Sequence, residues 1–331
     1  MDLAETEEEF DMNSDMVLSG VRILGTGRAL PSKCISNEDL SRIVDTDDAW
    51  IRSRTGIISR YQCDPDKGES CGSLAVEAAR KAIEASGLPP EEIGAVITAS
   101  STADYALPSC ACLIQKECGL SEDVMAFDLQ AACTGFLFAL GVARGLFAGL
   151  HKKKILLVGA EQLSRIVDYK DRSTCILFGD GAGAAVVEPS DGMFWQRSWS
   201  RGNIPALNCP GVGQERCRVS MQGNEVFRFA VNAMAQAIDQ VLADAGKSMD
   251  EVDLVICHQA NERIIRHVQK RYKGQEDKFY INIQKYGNTS AASIPLALDE
   301  ARERGLVKPG MRLLLVGFGG GLTWSGALFE C

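Results

Sequence analysis

Cys133 is the side chain in this sequence best placed to act as a nucleophile. It lies in Phe127-Asp128-Leu129-Gln130-Ala131-Ala132-Cys133-Thr134-Gly135-Phe136-Leu137-Phe138-Ala139-Leu140, where strand-like alternation gives way to a segment apolar on every side. That is the pattern of a helix buried all round. A sulfur at its start would sit near the positive end of the helix dipole, where unpaired N–H groups favour a thiolate. The bland alternative is an inert core cysteine, since free Cys is among the most buried residue types. Taken alone, that alternative is the stronger.

Three further stretches shift the balance. Cys257-His258-Gln259-Ala260-Asn261 follows an apolar strand, and open α/β sheets place their sites at such strand ends. A single His is usually structural, but here three polar side chains crowd one strand end. Tyr286-Gly287-Asn288-Thr289-Ser290 puts Asn288 at the position that a duplicated plan assigns to the partner of Cys133, although an Asn there also suits a helix cap. Phe318-Gly319-Gly320-Gly321-Leu322-Thr323 could turn N–H groups toward a developing oxyanion, or be a plain tight turn. It is no phosphate cradle, because neither Gly-Lys-Ser/Thr nor Gly-x-Gly-x-x-Gly accompanies it.

The elements that must hold these groups form a repeated order. Val21–Gly25 reads as a first strand, Asn37–Leu40 and Thr46–Ile51 as helix starts, Ser73–Ser86 as an amphipathic helix ended by Gly87, and Pro108–Cys118 as another helix. Ser248–Ile256 resembles Pro89–Ile97, Ile281–Gln284 resembles the strand Phe127–Gln130, Arg312–Gly317 resembles Lys154–Gly159, and Ala327–Glu330 resembles Ala185–Glu188. Short apolar strands alternating with helices predict mostly parallel sheets covered on both faces. Gly135, Gly141, Gly145 and Gly149 each cost a helix about 1 kcal/mol against Ala, which predicts close packing against another backbone.

Composition sets the bounds. A chain of 331 residues suggests two domains or two fused halves. The divisions expected are an acidic, disordered tail over 1–19, a first half over 20–190 carrying the Cys, and a second half over 191–331 carrying the His and Asn. The net charge of −9 argues against nucleic acid and anionic membrane surfaces. Twelve cysteines and three histidines show no Cys-x-x-Cys and no metal-ligand spacing. A disulfide scaffold is not expected in a chain this long without a secretion signal, and a cytoplasmic location with reduced thiols is.

The Ala-Ala-Cys-Thr-Gly-Phe, His-Gln-Ala-Asn, Gly-Asn-Thr-Ser-Ala-Ala-Ser and Phe-Gly-Gly-Gly motifs occur together and in order. In this the chain resembles the β-ketoacyl-acyl carrier protein synthase III family (KAS III), from about Val21 to Phe329. The resemblance implies a thiolase-like α/β fold, five-layered αβαβα, built from two pseudo-symmetric βαβαβαββ halves. It implies an acyltransferase that condenses an acyl-CoA primer with malonyl-acyl carrier protein, losing CO2, to initiate type II fatty acid synthesis. Cys133 would carry the acyl group, and His258 and Asn288 would stabilise the enolate. The N–H groups of Cys133 and Gly320 would form the oxyanion hole. Thr46, Trp50, Arg54, Arg172, Asn261 and Phe318 match positions that bind substrate or CoA. Arg228, Arg263, Arg266, Lys270 and Arg271 would meet the acidic carrier protein. No cofactor or metal is implied, CoA thioesters being substrates, and a homodimer is expected.

Leu107 stands where acetyl-preferring members often have Phe, reaching across the dimer into the acyl pocket, so a longer or branched primer could fit. The alternatives are a relative acting in polyketide or other secondary metabolism and a catalytically silent partner subunit. The intact Cys133, His258 and Asn288 oppose the silent subunit. A papain-like hydrolase has no place for the duplicated plan.

Overall fold

The computed structural model describes residues 20–211 and 217–331; the acidic tail expected over 1–19 lies outside them. The first part of the chain runs β1 (Gly20–Ala29), β2 (Lys33–Ser36), α1 (Asn37–Ser41), α2 (Asp48–Thr55), β3 (Ser59–Gln62), α3 (Cys71–Ser86), β4 (Ile93–Ala99), α4 (Cys110–Glu117), β5 (Met125–Leu129), α5 (Gly135–Leu146), β6 (Lys154–Glu161), α6 (Arg172–Cys175) and β7 (Gly181–Ser190). The second runs β8 (Phe194–Ser200), a ribbon of β9 (Leu207–Asn208) and β10 (Ser220–Met221), α7 (Gly223–Ala245), β11 (Leu254–Cys257), α8 (Glu262–Gln269), β12 (Phe279–Tyr280), α9 (Ile283–Tyr286), α10 (Ser293–Glu303), β13 (Arg312–Gly319) and β14 (Thr323–Glu330).

Two five-stranded sheets share one plan, β1-β7-β6-β4-β5 and β8-β14-β13-β11-β12. In each, four strands run the same way and one, β7 or β14, runs against them between its neighbours. The strands are therefore mostly parallel in direction, with one reversed strand in each sheet. Between the sheets lie α5 and α10. Phe136, Leu137 and Leu140 of α5 and Ile294, Ala297 and Leu298 of α10 pack with Ile97 and Leu157 of one sheet and Ile256 and Leu315 of the other. Full burial of each large side chain contributes about 1.5–3 kcal/mol. The outer face of the first sheet is covered by α3 and α4, and that of the second by α7 and α8. The result is the five-layered αβαβα thiolase-like architecture.

Local signals explain the helices. Ser70 caps α3 in a reciprocal capping box with Ser73, and Gly87 ends it at φ 69°. Two expectations need correction. The second-half strand is Phe279–Tyr280 rather than Ile281–Gln284, because Asn282 is drawn into a buried network with Gln259 and Glu300. Of the four glycines, only Gly135 and Gly141 are closely approached. A Cβ on Gly135 would lie 2.8 Å from the Ala99 Cβ, and one on Gly141 2.9 Å from Gln196 Oε1, whereas Gly145 and Gly149 face open space.

Candidate active site

Cys133 does not open a helix directly. It occupies a 3-10 turn, Ala132–Thr134, between β5 and α5. Ala132 holds φ 46°, a left-handed conformation that normally costs a non-glycine residue about 1–2 kcal/mol. The only other described non-glycine residue with positive φ is Ser290, at φ 48°, which opens the matching turn Ser290–Ala292 before α10. Ala132 thus corresponds to Ser290 and Cys133 to Ala291. The expectation that Asn288 is the pseudo-symmetric partner of Cys133 is corrected: Asn288 lies just upstream of the matching turn.

Asn288 is nevertheless brought to the sulfur by another route. Its N–H donates to the Leu177 carbonyl at 2.8 Å, and its carbonyl accepts from Gly179 N–H at 3.0 Å, so first-half backbone fixes a second-half residue. Its Oδ1 accepts from Ser290 N–H at 2.9 Å, so it also serves as the turn's cap. His258 follows the end of β11, where its N–H donates to the Val316 carbonyl at 2.7 Å. Its ring packs edge-on against Phe318, with centroids 5.4 Å apart. Cys133, His258, Asn288, Phe318 and Gly319 line one cavity of about 90 Å³, with Leu207, Met221 and Phe227 on its remaining walls. A Cβ on Gly319 would lie 2.8 Å from Cys133 N, which explains the glycine there. Gly320 lies one step on, beside Ala132 and Leu207.

The electrostatics differ from a resting thiolate. Burial pushes the Cys133 thiol up to about 12; the Ser290 hydrogen bond lowers it and nearby Glu161 raises it further. Desolvation therefore outweighs the dipole expected from the sequence. Burial also drives His258 down from 6.5 to about 3, so its imidazole is neutral. The ring's Nδ1 lies 2.6 Å from Ser293 Oγ, which also accepts from Gln259 N–H at 3.3 Å. The Ser293 hydroxyl keeps a second lone pair, so which of the two groups donates depends on the ring tautomer.

Two family models match the chain. The model for the C-terminal part of 3-oxoacyl-[acyl-carrier-protein] synthase III matches residues 242–331, and a second synthase III model matches 127–200. The β-ketoacyl-[acyl-carrier-protein] synthase III of Clostridium acetobutylicum is 43% identical over 326 residues, covering 95% of this chain and 99% of the relative. The chain belongs to the synthase III family. It is an acyltransferase-type condensing enzyme. The crystal structure of the Aquifex aeolicus synthase III superposes with TM-score 0.89 at 42% identity, covering 94% of this chain and all of that one. The priming β-ketosynthase of a polyketide pathway follows at TM-score 0.86 and 34% identity, covering 94% and 96%.

On this synthase III framework the remaining sequence-predicted residues fall into two groups. Trp50 and Arg54 lie on α2, whose end packs on α8: Asn261, the cap of α8, donates through Nδ2 to the Arg54 carbonyl at 3.0 Å. Arg172 stacks over Trp50. Thr46 Oγ1 is buried without a hydrogen-bond partner. Arg60, buried beneath, donates to Asn37 Oδ1 and the Ile176 carbonyl, both at 2.8 Å, tying β3 to α1 and to the end of α6.

The basic residues are less uniform than the sequence implies. Arg263 and Arg266 lie on α8, but Lys270 caps its end and Arg271 lies beyond it. Arg266 pairs with Glu262 and Arg271 with Asp239. Arg263 lies over the Phe227 ring at the cavity wall, and Arg228 lines a separate cleft with Arg201 and Trp324. Leu107 is 82% exposed and lines no part of its own chain's Cys133 cavity. Among the described residues no group of three or more His, Cys, Asp or Glu could hold a metal ion, and no helix is long and apolar enough to cross a membrane.

Sequence reasoning missed Ser290, Ser293, Glu161 and Gly319. The two serines stood inside the Gly-Asn-Thr-Ser-Ala-Ala-Ser motif and were passed over as helix content.

Proposed function

We propose that the protein condenses an acyl-CoA primer with malonyl-acyl carrier protein, giving a 3-oxoacyl-acyl carrier protein, CO2 and CoA, and so initiates type II fatty acid synthesis. The observation that carries this reading is the single cavity shared by Cys133, His258, Asn288 and Phe318. Cys133 attacks the primer thioester and keeps the acyl group as a covalent intermediate. The N–H groups of Cys133 and Gly320 hold the oxyanion, each such donor lowering the barrier by about 2.7–4 kcal/mol. His258, through Nε2–H, and Asn288 then hold the malonyl thioester carbonyl while CO2 leaves. The carbanion attacks acyl-Cys133. Phe318 walls the decarboxylation site.

Trp50, Arg54, Arg172, Thr46 and Asn261 bind CoA, and Arg228, Arg263, Arg266, Lys270 and Arg271 meet the acidic carrier protein; the surface ion pairs of two of them exchange at little cost. The halves 20–190 and 191–331 act as one unit. A cytoplasmic homodimer forms along the outer edge of β5, where Met125 is exposed and Leu107 and Tyr105 project nearby as exposed apolar side chains. Leu107 then enters the partner's acyl pocket and admits primers longer than acetyl.

The decisive experiment supplies malonyl-acyl carrier protein with acyl-CoA primers of increasing length and branching and measures 3-oxoacyl product. Failure of every primer would sink the reading.

A further inference from the structure

All twelve cysteines are free, and two of them meet at the surface. Cys209 and Cys217, both exposed, stand eight residues apart with their sulfurs 3.9 Å from each other. A disulfide needs the sulfurs only about 1.9 Å closer, within reach of side-chain rotation. The chemistry above uses neither residue.

Their place in the fold ties the pair to the nucleophile. Cys209 directly follows β9, and Cys217 stands three residues before β10. In that ribbon Leu207 is paired with Met221, and both wall the cavity of Cys133. Leu207 also lies against Gly320, 3.6 Å from where a Cβ there would stand. The β10 side is anchored on the first half: Val219 N–H donates to the Ile166 carbonyl at 2.8 Å, and Arg218 Nη1 to the Arg165 carbonyl at 2.6 Å. The β9 side leans on the β10 side, through the two-residue pairing and through Gln222 N–H on the Ala206 carbonyl at 2.8 Å.

The cavity holds about 90 Å³, well below the roughly 300–1,000 Å³ of sites that enclose a small ligand. A thioester arm therefore enters only as a wall gives way. Val226 and Phe227 stand on the long helix α7 and Phe318 on the central strand β13. Against these, the two-residue strands that carry Leu207 and Met221 are the weakly held wall.

We propose that Cys209 and Cys217 form a redox modification site, oxidised to a disulfide by a low-molecular-weight disulfide, and that the bond slows entry of acyl-CoA to Cys133. The effect on activity rests on Cys133 being the acyl acceptor; formation of the bond does not. One cysteine, as its thiolate, attacks a sulfur of the small disulfide, forming a mixed disulfide and expelling one small thiolate. The second cysteine, as its thiolate, attacks the protein sulfur of that bond, closing Cys209–Cys217 and expelling the other small thiolate. The protons given up by the two cysteines end on the two small thiols. The pair loses two electrons, the small disulfide gains them, and a reducing thiol reverses both steps. Closure fastens the β9 side to the segment anchored on Arg165 and Ile166, and so takes freedom from Leu207.

The test treats the whole protein with oxidised glutathione. It reads intact mass, the peptide map and the single-turnover rate of acyl-Cys133 formation from sub-saturating acetyl-CoA. The wild type should lose the mass of two hydrogen atoms, with Cys209 linked to Cys217. It should acylate about tenfold more slowly, the scale of a binding-competent state cut to a tenth. Dithiothreitol should restore both. Cys209→Ser and Cys217→Ser should each hold one glutathione on the remaining sulfur and never the internal bond. The double variant, treated alike, should keep its untreated rate, which separates the pair from any oxidation of Cys133. A wild type without the Cys209–Cys217 link, a linked enzyme that acylates at the reduced rate, or a double variant slowed as much as the wild type overturns the proposal. Absence of acyl-Cys133 in the reduced wild type, with the link still forming, overturns instead the functional reading.

Discussion

The guanidinium carbon of Arg172 lies 5.0 Å from the centre of the Trp50 ring. That distance leaves no room for a third ring between them. An adenine between them would need a van der Waals spacing of about 3.5 Å on each side, near 7 Å in all. Arg172 is exposed, and its other contacts are to Asp45 at 3.1 and 3.6 Å, so it can swing outward without opening the core. Trp50→Ala should raise KM for acyl-CoA by about 5- to 150-fold, the equivalent of one base–aromatic stack, with kcat little changed. A fall in kcat at unchanged KM would contradict the binding role.

Cys133→Ala should abolish the acyl-enzyme. Acetyl-CoA should add one acetyl mass to the wild type and none to the variant. A label that survives the substitution would place the nucleophile elsewhere.

Asn288→Ala should separate the two half-reactions. The variant should still acylate Cys133, while malonyl decarboxylation falls by about 100- to 1,000-fold, the usual loss for one oxyanion donor. Equal loss of both would show that Asn288 matters mainly as the side-chain cap of the Ser290 turn.

Two glycine substitutions should have opposite signs. Gly319→Ala would place a Cβ 2.8 Å from Cys133 N and 3.1 Å from its Cβ, so the nucleophile must shift. Overpacking of this kind costs about 1–3 kcal/mol, and kcat should fall with the thermal midpoint. Gly145→Ala, inside α5 and facing open space, should instead raise stability by up to about 1 kcal/mol. Calorimetry of the two variants checks both.

The pH dependence of stability follows from two buried groups that act in opposite directions. His258 falls from 6.5 to about 3 on folding, so the unfolded chain binds more protons in that window and stability drops as pH falls through it. Glu161 rises from 4.5 to about 7, so the folded chain binds more protons there and stability drops as pH rises through that window. Their contributions oppose each other from 4.5 to 6.5. In Glu161→Gln the His258 trend should stand alone, and Tm should climb more steeply across this range than in the wild type. Parallel Tm profiles would contradict these assignments.

Much of this was legible from residue pattern alone. The all-buried runs of β4, β6 and β13 declared themselves as apolar stretches, and the duplicated order predicted two matching sheets. What pattern cannot carry is contact between halves. Phe279–Tyr280 forms only a two-residue strand, because Asn282 prefers Glu300 and Gln259 to the sheet. Asn288 was found for the wrong reason: its motif was right, but its place in the pseudo-symmetry was not. His258 and Ser293 lie 35 residues apart and become hydrogen-bond partners only when the start of α10 packs beside the end of β11. The desolvation of Cys133 depends likewise on Gly319 and Phe318 closing over it, which no local stretch records.

The two left-handed residues, Ala132 and Ser290, carry a final implication. A pair of identical half-chains related by a twofold axis would face this turn with its own copy and so oppose sulfur to sulfur, or hydroxyl to hydroxyl. Covalent joining of the copies lets the turns diverge, so that one keeps the thiol and the other carries a hydroxyl in the left-handed position. The asymmetry of the pair, more than the sulfur itself, distinguishes this molecule from a simple repeat.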